Sequence, residues 1–409
     1  MHLSRLAICT TLALGTVQAY AQQAGSIDLG GFELVPSVTT SLLHDDNVAS
    51  SNANKISSFA SIIAPQFILL NNFGANQLQF GYRLNRGDYF SSSQDNYTDH
   101  FLSTSLDMEL NSRNRFETSL EFEDGHDARG TGFSNGAGAA LSSPDQYKEK
   151  EFDLVYSYGV LTANARIDFQ LNLQDLDYDS NVITSVNDAG ETEQEDSYRF
   201  RDRSRNEIGG IFYYSIASAT DLLVELSQTN IDYDVAADPL LPLDSSERAA
   251  LIGLEWESTA ATTGYAKVGF QRKEFDVAAR GDFSGLKWQA GITWQPYARS
   301  TFNLDTNGGT SETNGEGNFI RRKDIAVSWQ HEWLDRFSTE VGISYGRDSY
   351  DADIDVRKDN ISDLNLVAVY QFKRWMTVRG GYQFEKRNSN REAIDYDSNV
   401  FRITVSITL

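Results

Sequence analysis

The chain has a single cysteine, Cys9. It lies in a short amino-terminal apolar stretch, so no disulfide can brace the rest of the chain. Nowhere is there a run of about 20 apolar residues, so no transmembrane helix can be built from this sequence. Positive charge is scarce: 35 Lys and Arg face 58 Asp and Glu, a formal net charge of -23. Phosphates would be repelled, which excludes nucleic acid as a partner. Histidine is scarce too. Past the first stretch only His44, His100, His126 and His331 remain, widely scattered. No serine is tied to any of them by spacing, so hydrolysis by a Ser–His pair has no visible support and no enzyme activity is expected. Acidity of this degree can mean disorder, but 12% aromatic residues are too many for that reading.

The first residues, MHLSRLAICTTLALGTVQAYAQQ, combine Arg5, an apolar stretch from Leu6 to Val17 and the small-residue site Ala19-Tyr20-Ala21. This is the pattern of a secretory signal peptide over residues 1–21, cleaved after Ala21. A secreted chain without cystines or helical spans, of mean hydropathy -0.42, can be a soluble periplasmic protein or an outer-membrane barrel.

Period-2 patterning separates the two. In VFRITVSITL, Phe401, Ile403, Val405, Ile407 and Leu409 share one face, with Arg402, Thr404, Ser406 and Thr408 on the other. Alternation of this kind puts an apolar and a polar surface on one strand. It recurs in QLQFGYRLN, RFETSLEFE, ARIDFQLNLQ and LKWQAGITWQ. These segments often exceed ten residues, whereas strands of soluble proteins average about five or six. Connections alternate in length. Short ones fall near residues 71–76, 111–114, 257–261, 296–299 and 333–336, and long polar ones at 125–147, 178–198, 233–247 and 305–318. Trp256, Trp294 and Trp333 each sit near a short turn, where an interfacial aromatic girdle belongs. The expected fold class is all-β, a transmembrane antiparallel up-and-down β-barrel over residues 22–409. About 18 strands are expected, the first near Phe32 and the last near Asn399, with 16 the other even number considered. Pro36 and Pro65 fall inside the first two strands. A closed sheet has no free edge for a missing N–H, so bulges or displaced strand boundaries are expected there.

Several motifs invite chemistry. DYDSNV occurs at Asp177 to Val182 and again at Asp395 to Val400, with a relative, HDDNV, at His44 to Val48. Counting a calcium loop from Asp175 puts Ser180 where Gly is required and Val186 where Glu is required. The better reading is acidic punctuation at strand ends, and no metal or cofactor is expected. GISYG, Gly342 to Gly346, matches a hydrolase elbow by spacing but lies within an alternating strand rather than before a helix. The inward faces are charged, which implies a wet interior. Arg83, Asp107, Glu109, Glu117, Glu121, Glu123, Arg166, Asp168, Glu225, Glu255, Lys267, Lys287 and Arg402 are the expected pore-lining set. Tyr89, Tyr178, Tyr233 and Tyr396, at the outer strand ends, are expected either as girdle aromatics or as rim platforms for sugar rings.

FELVPSVTTSLLHDDNV near the start, LIGLEWESTAATTGYAKVGFQRKEFD from Leu251 to Asp276, and the final YDSNVFRITVSITL together resemble the "putative β-barrel porin type 2" family. The resemblance implies an outer-membrane channel that passes an exopolysaccharide or capsular polysaccharide to the surface. It also implies a periplasmic polysaccharide-export partner. The alternative is a general or solute-selective diffusion porin. One departure is Leu409, where barrel assembly signals carry an aromatic residue; it keeps the apolar face but bears on recognition by the barrel assembly machinery. The remaining expected partner is outer-membrane lipid.

Overall fold

A computed structural model describes residues 26–179, 182–186, 192–196, 199–259, 261–351 and 356–408. The expected signal peptide and Leu409 therefore lie outside the described residues. Eighteen long strands make up the fold. The first six are β1 (Glu33–Asp45), β2 (Ser58–Phe73), β3 (Asn76–Tyr89), β4 (Tyr97–Asn111), β5 (Asn114–Asp127) and β6 (Asp145–Tyr158). The next six are β7 (Ala165–Tyr178), β8 (Arg203–Ala217), β9 (Thr220–Tyr233), β10 (Ser245–Thr259), β11 (Thr262–Phe275) and β12 (Phe283–Tyr297). The last are β13 (Ser300–Glu312), β14 (Phe319–Leu334), β15 (Phe337–Tyr350), β16 (Lys358–Lys373), β17 (Met376–Ser389) and β18 (Tyr396–Thr408). Each pairs antiparallel with the next, and β18 returns to β1, with Ser37 opposite Thr408 and Asp45 opposite Val400. The sheet is closed. Closure matters because hydrocarbon satisfies no backbone N–H or C=O, so an open edge could not sit in it.

Alternation sets the two faces. Ile325, Val327 and Trp333 on β14, and Ile343 and Tyr345 on β15, are exposed on the outside. Their sequence neighbours Asp324 and Ser344 bond inward, to Asn307 and Asp363. Among the described residues there is no packed centre, and the buried apolar cluster Ile211, Tyr213 and Leu223 is a small patch on the inner wall. Trp294, Tyr297, Trp333, Phe372 and Trp375 stand exposed beside the short turns, as a girdle requires.

Three expectations need correction. Neither proline brings a bulge or a shifted boundary. Across Pro65 the β2–β3 register is the same on both sides, Ile63 opposite Arg86 and Gln66 opposite Arg83; the ladder merely opens between them. Pro36 pairs with Phe67 on the β2 side, while β18 starts pairing only at Ser37. The register shifts lie instead beside short turns, as at Glu257/Thr259 and Glu332/Leu334. The long connection expected over 305–318 is mostly strand, since β13 runs to Glu312.

The repeated acidic motifs meet at the closing seam. Asp45 accepts a hydrogen bond from Ser398 Oγ at 3.0 Å. Asp46 accepts two from Asn399, from its backbone N and its Nδ2, each at 2.8 Å. Asn47 Nδ2 donates to the Asp397 carbonyl at 2.9 Å. HDDNV and the second DYDSNV are therefore strand-end punctuation that also clasps the first strand to the last. In the other copy, Ser180 and Asn181 fall outside the described residues.

Candidate functional site

All the expected pore-lining residues fall on the inward-facing alternation, and one arc of the wall ties five of them into ion pairs, Arg166, Glu225, Glu255, Lys267 and Lys287. Arg166 on β7 reaches Glu255 on β10 at 3.1 Å and Asp221 on β9 at 3.9 Å, and its guanidinium lies 3.9 Å over Tyr213. Lys267 on β11 pairs with Glu225 on β9 at 2.6 Å, and Lys287 approaches Glu247 at 3.8 Å. Bridges between strands two and three apart can form only on the concave side of a closed sheet. Beyond Gly308, where β12 stops pairing with it, the end of β13 leans into the lumen. There Thr310 Oγ1 donates to Glu247 at 2.7 Å, and Glu312 takes Lys273 at 2.6 Å and the Tyr233 hydroxyl at 2.9 Å. Arg83 stays apart from this network, 4.1 Å over Phe101.

The adjoining arc of the wall, β4 to β6, is acidic. Asp107 stands opposite Glu117, Glu121 opposite Glu151, and Glu123 opposite Glu149. Like charges directly across a ladder cost about 0.2–1 kcal/mol each, and here three such pairs share one face. Glu123 takes a hydrogen bond from the Tyr147 hydroxyl at 2.7 Å and Glu151 one from Asn172 Nδ2 at 2.6 Å. These neutral donors orient the carboxylates without cancelling their charge. Glu149 and Glu151 were missed from the sequence. The signal was present in KEKEF, where the glutamates take the inward parity and the lysines the outward one.

Across the loop end runs the segment 128–144 between β5 and β6. Its root is Arg129, fully buried, which pairs with Asp95 through two contacts of 2.6 Å and donates to the Leu141 carbonyl at 3.0 Å. Gly130 has φ of 80°, and a Cβ on it would lie 2.1 Å from the Ala49 carbonyl oxygen, so only glycine lets the two loops touch. Further on, Asn314 Nδ2 donates to the Gly132 carbonyl at 3.1 Å. Asn314 belongs to the β13–β14 loop, eight strands further round a ring of eighteen. Phe133 packs edge-on to Tyr178 and Phe200, with the Arg201 guanidinium 3.9 Å above it. The segment thus crosses the mouth from one wall to the other. Arg129→Ala strands the Asp95 carboxylate in a buried position, a cost of about 3–5 kcal/mol. Proteolysis should then cut within 128–144 much earlier than in the wild type, while circular dichroism of the barrel is unchanged. Equal protease resistance of the two proteins would refute this anchoring role.

The rim tyrosines turn inward rather than to lipid. Tyr178 and Tyr233 donate their hydroxyls to Asp127 and Glu312 at 2.9 Å, and Tyr396 donates to Glu385; Tyr89 takes the same inward parity on β3. They are not girdle aromatics. GISYG lies within β15, where Ser344 Oγ donates to Asp363 at 2.7 Å. The structure does bring together a Ser–His contact that spacing hid: Ser57 Oγ and His44 Nε2 lie 3.0 Å apart at the rim. Among the described residues no carboxylate orients that ring, which rests against the edge of Phe59.

Comparison with known proteins agrees with this architecture. A family profile described as "Putative beta-barrel porin 2" matches residues 20–409. No curated protein sequence matches. Among solved structures, the chain is similar to OpdK of Pseudomonas aeruginosa crystallised with vanillate, at 12% identity and a TM-score of 0.49. That match covers 92% of this chain and 98% of that one. It is also similar to OccAB4 of Acinetobacter baumannii, at 11% identity and a TM-score of 0.46, over 95% and 99% of the two chains. Likeness at this level carries no argument about substrate.

Proposed function

The chain belongs to the "Putative beta-barrel porin 2" family and is a porin-like β-barrel of the bacterial outer membrane, and on that premise we propose that it is a selective diffusion channel for small neutral or cationic solutes. The observation that carries the reading is the crossing of the mouth by 128–144, tied to the far wall through Asn314. An eighteen-strand barrel is wide enough for an open aqueous channel unless loops fill it. A segment fixed across the opening sets a size limit that small solutes pass and a growing polymer does not. The family description, too, names a porin, which favours diffusion over export of a polysaccharide.

Charge supplies the second filter. The carboxylates of β4 to β6 face an inner wall whose cations Arg166, Lys267 and Lys273 are already paired. Rings and rows of acidic side chains favour cations in a pore. Tyr89, Tyr178 and Tyr233, half-buried, flank the approach, where their ring edges offer contact to passing solutes, sugars included, while Tyr396 is buried. Liposomes carrying the purified protein should swell quickly in small neutral and cationic solutes and slowly in anions of equal size. Failure to swell in any solute, together with loss of secreted polysaccharide on gene deletion, would overturn the diffusion reading in favour of export.

A further inference from the structure

The outer face carries a second feature, unrelated to the lumen. Just above the apolar band, most outward-facing cations have an acidic neighbour. Arg86 pairs with Asp88. Lys150 meets Asp175 at 2.8 Å, Lys148 meets Asp179 at 2.9 Å, and Arg272 meets Glu274 at 2.9 Å. On β14 and β15 the pattern breaks. Arg321, Lys323 and Arg347 are exposed and share the outward parity of Ile325 and Tyr345, Arg321 at the point where its ladder partner Thr310 leaves the wall. Lys323 Nζ lies 5.7 Å over the outward ring of Trp288. Among the described residues none of the three has a carboxylate partner.

Their arrangement is costly. Lys323 stands directly opposite Arg347 in the ladder, and Arg321 opposite Ser349, so two cations face each other with nothing between them. No outward-facing position of β14 to β17 holds Asp or Glu, although acids far outnumber bases in the chain. The three side chains and Ser349 enclose one concavity. Phe337 to Arg347 is eleven residues of β15, and a tilted strand crosses the hydrocarbon in about 9–11. Arg347 therefore sits at the height of the outer-leaflet headgroups, one outward step above Tyr345. Below and beside it, the outer wall is indented at Ala368 and Gly380, register partners on β16 and β17. Leu366, Tyr382, Phe401 and Ile403 border that apolar groove.

We propose that Arg321, Lys323 and Arg347 bind the phosphate of a phosphorylated outer-leaflet glycolipid, one of whose acyl chains lies in the groove over Ala368 and Gly380. The charge complementarity is of the strong kind, guanidinium and ammonium against a phosphate at the edge of a low-dielectric layer. The site is independent of what passes through the lumen. The test uses the full-length protein in mild detergent, with diphosphorylated lipid A as probe and native mass spectrometry as the readout. The R321Q/K323Q/R347Q variant should bind about a hundredfold less lipid A than the wild type, each of the three cations near a charged surface being worth about fivefold. The R248Q/R272Q variant, which removes the two outward cations that share Glu274, at 3.5 Å and 2.9 Å, should bind as the wild type does. Dephosphorylated lipid should bind the wild type as weakly as diphosphorylated lipid binds the triple variant. If the triple variant does not fold, R347Q alone should still lower binding severalfold. Equal binding by the triple variant, equal loss in R248Q/R272Q, or displacement by inorganic phosphate at concentrations comparable to the lipid would each overturn the proposal, the last by making the patch a site for free phosphate.

Discussion

Replacing residues 131–140 by a short Gly-Ser connection should raise single-channel conductance about threefold or more, because the lumen of an eighteen-strand barrel is aqueous once no loop fills it. The replacement removes Gly132 and Phe133, and with them the reach to Asn314 on the far wall and the stack under Arg201. Arg129 loses the Gly138 carbonyl but keeps its pair with Asp95 and its bond to the Leu141 carbonyl, so the main anchor of the loop remains. Planar-bilayer recordings in potassium chloride give the conductance, and liposome swelling gives the size limit, which should move to larger oligosaccharides. A folded variant with unchanged conductance and size limit would mean that the narrowest point lies deeper in the barrel.

Neutralising the acidic wall should act on sign rather than size. In E121Q/E123Q/E149Q/E151Q the cross-strand carboxylate pairs Glu121–Glu151 and Glu123–Glu149 become amide pairs of nearly the same volume. The cation-to-anion permeability ratio, read from reversal potentials, should fall about tenfold near 0.1 M salt. The difference should shrink at 1 M, where the screening length drops from about 10 Å to about 3 Å. Stability should move the other way. Removing two like-charge contacts at about 0.2–1 kcal/mol each makes the barrel harder to unfold in urea, the usual relation when charged groups are kept for function. A variant that loses no selectivity, or that loses stability, would show that these carboxylates are held by cations of the wall itself.

Much of this was legible along the chain. Ile343 and Tyr345 outside against Ser344 inside, or Phe401 and Ile403 against Arg402, follow from the strict two-residue period of a strand, a local property. The tight connections at residues 111–114 and 333–336 read correctly for the same reason, since each is bounded by the end of one alternation and the start of the next. The errors have a physical source as well. The polar stretch Asp305 to Glu312 reads as loop because its outer half leans into a wet lumen, where no apolar face is needed. Pro36 and Pro65 call for bulges or displaced boundaries on the sequence alone because it does not reveal which ladder positions go without a partner. Tyr178, Tyr233 and Tyr396 leave girdle and rim both open along the sequence because aromatic residues at strand ends suit either face, and the carboxylates that their hydroxyls meet turn them to the lumen.

The sequence by itself determined the all-β barrel class, a count of 18 or 16 strands and the face on which most of the strand charges would stand, since alternation depends on neighbours one or two residues apart. The tertiary structure alone decided that Asp46 would meet Asn399, that Gly132 would touch Asn314, and that Lys323 would face Arg347 with no carboxylate beside it among the described residues. Those contacts depend on register and on loops converging from distant strands, and closure of the ring sets both at once.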